Sequence, residues 1–156
     1  MQLFLVRHAD AKFNAQTDHQ RPLSEIGKLQ AQLSAQYIKQ NIKSPAVNIL
    51  CSDALRTLTT AQIIAQELES CQLSENNVYY QASVGQWCDG IASQPLQKTV
   101  VLVGHNPTIS NLSNHLNSTH APTFSPACVA HYELEILTDG LKLPAQHIDF
   151  FKPNVS

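Results

Sequence analysis

Short apolar runs alternate along this chain with longer stretches in which apolar positions recur every three or four residues. Leu3 to Val6 is the first run, closed by Arg7 and His8, and it predicts a buried parallel strand. A polar loop carrying Asp18 and Arg21-Pro22-Leu23 follows. Ser24 then stands where a helix cap belongs, ahead of Ile26, Leu29, Leu33 and Tyr37, whose spacing predicts one apolar helix face reaching to about Ile42. Val47 to Cys51 predicts a second strand, and Ser52 a second cap, before the repeat of Ala54, Leu58, Ala61, Ala65 and Leu68. Arg56 falls in the first turn of that helix. Thr99 to Gly104 is the clearest strand in the chain, and Pro107 suits the first position of a helix carrying Ile109, Leu112 and Leu116. His105 and Asn106 occupy that junction.

The intervening and final segments are less regular. Val78 to Gln81 predicts a short strand, whereas Ala82 to Leu96 resists assignment because Gly85, Gly90 and Pro95 oppose one long helix. Val129 to Leu137 alternates, with Tyr132, Leu134 and Ile136 on one face and His131, Glu133 and Glu135 on the other. Asp139-Gly140 marks a turn, and Gln146 to Phe151 is expected to return as an antiparallel edge strand. Strand, helix and strand units joined by right-handed crossovers give an α/β fold. It is a three-layer α/β/α sandwich with a mostly parallel central sheet. One domain over 1–156 is expected, without a large inserted cap.

Composition narrows the function. The chain has 156 residues, 43% of them hydrophobic, and a formal net charge of only -2. No global basic field exists to hold a nucleic acid or an anionic membrane, so any phosphate recognition must be local. The apolar start breaks at Arg7, and no apolar run approaches membrane-spanning length. A cytoplasmic monomer is the expectation. Cys51, Cys71, Cys88 and Cys128 lack metal-site spacing and read as reduced thiols, and His19, His115, His120 and His147 as surface or loop residues.

Ligands of open parallel sheets bind beyond the C-terminal strand ends. Arg7 and His8 follow the first strand, Arg56 the second and His105 the long central one, so three distant segments deliver basic groups to one edge. Guanidiniums there offer rigid forks of donors that match phosphate oxygens. A metal would sit beside two arginines with no carboxylate at those junctions, which argues against one.

These segments also carry a family likeness. Val6-Arg7-His8-Ala9-Asp10-Ala11 resembles the Arg-His-Gly signature of the histidine phosphatase superfamily, in its Arg-His-Ala form. Arg21-Pro22-Leu23-Ser24-Glu25-Ile26-Gly27 is similar to the family's Arg-Pro-Leu-Thr-x-x-Gly helix entry. Ser52 to Ala61 resembles its Ser-x-x-x-Arg-x-x-x-Thr-Ala segment, and Val103-Gly104-His105-Asn106-Pro107 completes the set. Shortness and the absence of a cap resemble the SixA-type phosphohistidine phosphatase branch. The resemblance implies a phosphoglycerate mutase-like fold and a reaction without metal or other cofactor. It also implies that His8 attacks phosphorus while Arg7, Arg21, Arg56 and His105 hold the phosphoryl oxygens. The implied partner is a phosphohistidine-bearing phosphotransfer protein or sensor kinase domain of a two-component signalling pathway.

Two departures stand out. Ala9 replaces the usual Gly and adds a methyl near the pocket, and Tyr79-Tyr80-Gln81-Ala82-Ser83 lacks the Glu that many members place after the third strand. Asp18 is the remaining candidate for a general acid. A missing acid penalises alkyl phosphate esters more than a phosphoramidate, whose nitrogen is protonated readily. Rival readings are a phosphomonoesterase for small metabolites and a non-catalytic module that binds phosphoproteins through its arginines.

Overall fold

The computed structural model describes residues 1–155. Its strands and helices are β1 (Gln2–Arg7), α1 (Glu25–Asn41), β2 (Val47–Cys51), α2 (Leu55–Glu67), β3 (Cys71–Glu75), α3 (Val84–Ala92), β4 (Thr99–Gly104), α4 (Thr108–Leu116) and β5 (Val129–Glu133). A hairpin of β6 (Ile136–Leu137) and β7 (Gly140–Leu141) precedes β8 (Gln146–Phe151). Six strands form one sheet in the order β3-β2-β4-β1-β5-β8. The first four are mutually parallel, β5 runs antiparallel to β1, and β8 closes the edge antiparallel to β5.

Strand pleating explains the layers. Leu3, Leu5, Val100 and Leu102 point to one face, under Trp87 and Ile91 of α3 and Ile109, Leu112 and Leu116 of α4. Phe4, Val6, Val101 and Val103 point to the other, under Ala35 and Ile38 of α1 and Ala61 and Ile64 of α2. All four residues from Leu3 to Val6 are inaccessible. A strand covered on both faces must be apolar throughout, and that is the pattern its sequence shows. No helix among the described residues is long and apolar enough to cross a membrane.

Several expectations change. The α1 helix is capped by Ser24, whose side chain accepts from the Gly27 N–H, but it buries Gly27, Ala31, Ser34, Ala35 and Ile38. Ile26 and Leu29 stay outside, 55% and 50% exposed. Small residues win because α1 lies close to the β1 junction: a β-carbon at Gly27 would overlap the carbonyl oxygen of Asp10. The third strand is Cys71–Glu75, and Asn77–Tyr79 is a single 3-10 turn, capped by the Asn76 side chain. The segment without assignment contains α3, opened by a reciprocal capping box between Ser83 and Gln86. Gly90 lies inside that helix because Tyr79 packs against it. Ser52 does not cap α2; Ala54 precedes that helix, and the Ser52 side chain turns to the site described below. His131 is buried as well as Tyr132: it stands opposite Phe4 of β1 and stacks on it with centroids 4.3 Å apart, because both faces of the sheet are covered here.

Candidate active site

Register brings the functional junctions level. Arg7 pairs with Gly104, and Cys51 with Val103, so His8, Ser52 and His105 leave adjacent strands side by side. His8 forms the floor, only 8% exposed. Its amide donates to the Gly104 carbonyl at 3.0 Å, and its own carbonyl accepts from the Ala127 amide at 3.1 Å. Ring atom Nδ1 lies 2.8 Å from the Ala9 carbonyl oxygen and must carry the proton to donate there. Nε2 has no hydrogen-bond partner among the described residues and is left with its lone pair. Burial pushes His8 down to about 4; the charges of Arg56, Arg7 and Arg21 push the same way, against the Ala9 carbonyl. The ring is therefore neutral and nucleophilic at ordinary pH.

Two guanidiniums and a second imidazole surround that nitrogen. Arg7 is anchored through Nη1 to the Phe124 carbonyl at 3.0 Å, and the Asn106 side chain donates to the same oxygen at 2.9 Å. Arg56 is 6% exposed, fixed at the start of α2. The His105 ring lies 5.5 Å from that of His8, and its Nε2 is 2.7 Å from Ser52 Oγ. Burial, followed by the charges of His8 and Arg56, draws His105 down to about 3. Arg7 Nε, Arg56 Nε and His105 Nδ1 are buried without partners among the described residues. Folded proteins leave few such groups unmet. Guanidinium forks of this kind match the oxygens of a tetrahedral oxyanion.

Asp18 and Arg21 occupy the rim. Arg56 donates to the Asp18 carbonyl at 2.7 Å and to its Oδ2 at 3.0 Å, and the Tyr80 hydroxyl donates to the same Oδ2. Arg21 Nη1 reaches Asp18 Oδ1 at 3.3 Å, while Nε and Nη2 donate to the carbonyls of Lys12 and Ala11. The hydrogen bond from Tyr80 lowers the Asp18 carboxyl most; burial opposes it, and Arg56 and then Arg21 add to the lowering, which brings the group to about 2. An acid that must donate near neutral pH needs the opposite shift. Arg21 is spent largely on its own loop, with its guanidinium 4.2 Å over the exposed Phe13 ring.

The structure thus gathers His8, Arg7, Arg56 and His105 in one cluster and sets Asp18 and Arg21 beside it. The Ala9 methyl does not enter the pocket: it is buried with Leu23, Ala31 and Ala127 against α1. Ser52, Tyr80, His19 and Asp53 were not legible as site residues. His19 pairs with Asp53 at 2.9 Å, and the Tyr80 ring stands edge-on to both His19 and His105. Position after a C-terminal strand end was the available signal for Ser52 and Asp53.

The sequence pattern describing the histidine phosphatase superfamily (branch 1) matches residues 3–87. The phosphohistidine phosphatase SixA homolog of Haemophilus influenzae is 29% identical over 154 residues, which cover 91% of each chain. Among solved structures, the protein histidine phosphatase SixA complexed with tungstate superposes with a TM-score of 0.80 at 22% identity, over 98% of this chain and 97% of that one. A mycobacterial glucosyl-3-phosphoglycerate phosphatase complexed with VO3 gives 0.68 at 14% identity, over 94% and 96%. These two likenesses concern the fold, while the sequence match spans more than half of the chain. The chain belongs to the histidine phosphatase superfamily, branch 1.

Proposed function

We propose that the protein is a phosphohistidine phosphatase that works through a phospho-His8 intermediate. The observation that carries this reading is the free Nε2 of a neutral His8, tied at Nδ1 to Ala9 and ringed by Arg7, Arg56 and His105. Phosphoryl transfer needs mainly positioning and charge stabilisation, and these residues supply both. His8 Nε2 forms a bond to phosphorus as the bond to the nitrogen of a ring-protonated phosphohistidine breaks, its electron pair neutralising that ring, which leaves as imidazole. His8 keeps its Nδ1 proton and so becomes a phosphorylated imidazolium. Water then adds to the phosphoryl group, the phosphorus to Nε2 bond breaks, and neutral His8 and dihydrogen phosphate remain. Arg7, Arg56 and His105 hold the oxygens in both steps, and Arg21 adds charge at longer range.

Neither step demands that the protein deliver a proton to a departing alkoxide, which favours a phosphorus to nitrogen bond over an alkyl ester. The curated relative's name, phosphohistidine phosphatase SixA homolog, agrees with that chemistry. The substrate protein we infer is a phosphotransfer protein or sensor kinase domain of a signalling pathway. Purified protein should release phosphate from a phosphohistidine-bearing phosphotransfer domain faster than from sugar phosphates. His8→Ala should abolish turnover and the acid-labile phosphoenzyme while keeping the circular dichroism spectrum. Turnover persisting in that variant would remove the covalent route, and preference for sugar phosphates would point to a metabolite phosphatase.

A further inference from the structure

Three donors approach the Asp18 carboxylate, Arg21 at Oδ1 and both Arg56 and Tyr80 at Oδ2. An ionised carboxylate offers about four lone-pair sites, so one remains open. The side chain is 55% exposed, whereas His8 is 8% exposed. In-line displacement puts the leaving group opposite the attacking nitrogen, and with His8 on the floor the leaving group faces the mouth. On the exposed side of the cluster stand Asp18, the edge-packed rings of Tyr80 and His19, and Phe13 over Arg21.

We propose that Asp18 accepts the N–H of the substrate's own imidazole ring, so that the pocket selects phosphohistidine protonated on its second nitrogen. A phosphorylated imidazolium is already activated. When its phosphorus to nitrogen bond breaks, the electron pair neutralises the ring, and imidazole departs with its proton still on the far nitrogen, facing the Asp18 carboxylate. The proton a general acid would deliver arrives with the substrate. The bond made to His8 is of the same kind as the bond broken, because His8 keeps its Nδ1 proton on the Ala9 carbonyl.

The charged and titratable groups around this carboxylate suit acceptance. Arg56 from α2 and Arg21 from the same loop keep it ionised, Tyr80 donates from beyond β3, and His19, paired with Asp53, stands beside Tyr80. His105 lies behind Tyr80 and is held by Ser52. None of these groups bonds the remaining site on Asp18 among the described residues.

This inference rests on the phosphohistidine reading, yet it has its own readout. Two small probes, phosphoimidazole and p-nitrophenyl phosphate, need no partner protein, and the nitrophenolate group of the second leaves without a proton. Asp18→Asn removes the negative charge while keeping shape. The ratio of kcat/KM for phosphoimidazole to that for the aryl ester should fall roughly tenfold or more, the effect of losing a hydrogen bond to a charged group. Asp18→Glu keeps a carboxylate and should retain a ratio above that of the Asn variant. Equal losses on both probes would make Asp18 a mere support for Arg56 and overturn the proposal, as would equal ratios in the Asn and Glu variants. Failure to dephosphorylate any phosphohistidine protein would instead sink the proposed function, with the probe ratios still measurable.

Discussion

Ser52 carries no charge, yet it decides which nitrogen of His105 faces the pocket. With His105 neutral, a Ser52 hydroxyl that donates to Nε2 at 2.7 Å puts the ring's one proton on Nδ1. Thr57 holds the Ser52 hydroxyl from the first turn of α2, and both residues are inaccessible. Ser52→Ala would free the ring to rotate and change tautomer. Partners that orient a site imidazole are worth about 10- to 100-fold when removed. The expected result is a loss of that size in kcat, with a smaller change in KM, read by steady-state kinetics on p-nitrophenyl phosphate. A loss confined to KM would assign Ser52 to binding alone.

At the scale of elements, the α1 entry shows how motif and packing meet. The Ser24 amide donates to the Asp10 carbonyl and its hydroxyl to Asp10 Oδ2 at 2.6 Å, so the cap of α1 also fixes the turn after His8. Gly27 permits the close approach behind that contact. Gly27→Ala should push the helix from the turn, cost ~2 kcal/mol or more by urea denaturation, and lower activity together with stability. This position also marks what the sequence could convey. Large apolar residues suggested a face through Ile26 and Leu29, because periodicity weighs side chains by hydrophobicity. Packing of α1 is set by the small residues Gly27, Ala31 and Ala35, whose value lies in the distance they allow. The strands β1, β2 and β4 were legible because burial on both faces makes them uniformly apolar. The edge strand β3, with its Gln72, Ser74 and Glu75, carries no such signature. His8, Arg7, Arg56 and His105 could be gathered from topology alone. Tyr80 could not, since a 3-10 turn and a side-chain contact with Asp18 place it.

For the whole molecule, the buried neutral histidines tie stability to pH. His8 titrates at about 4 in the folded chain against 6.5 when exposed. The unfolded chain therefore binds the extra proton first as pH falls, and stability drops from about pH 6.5 toward about pH 4. Full titration of His8 corresponds to roughly 3 kcal/mol, a large share of ordinary domain stability. His105 acts in the same direction and continues to about 3. Urea midpoints should fall across this window, and His8→Asn should flatten the slope; a midpoint independent of pH would contradict the burial of both rings.

The sheet order has a consequence for biosynthesis. Strand β1 lies between β4 and β5, whose residues begin at Thr99 and Val129, so both its neighbours are translated long after it. At ribosomal speed the delay is on the order of ten seconds, during which Leu3 to Val6 has neither flank. Arg7 waits longer still for the Phe124 carbonyl that orients it, 117 residues downstream. A ribosome-bound chain stopped short of Ala127 carries His8 without the Phe124 and Ala127 contacts that fix its surroundings, so the site is assembled only after that segment emerges.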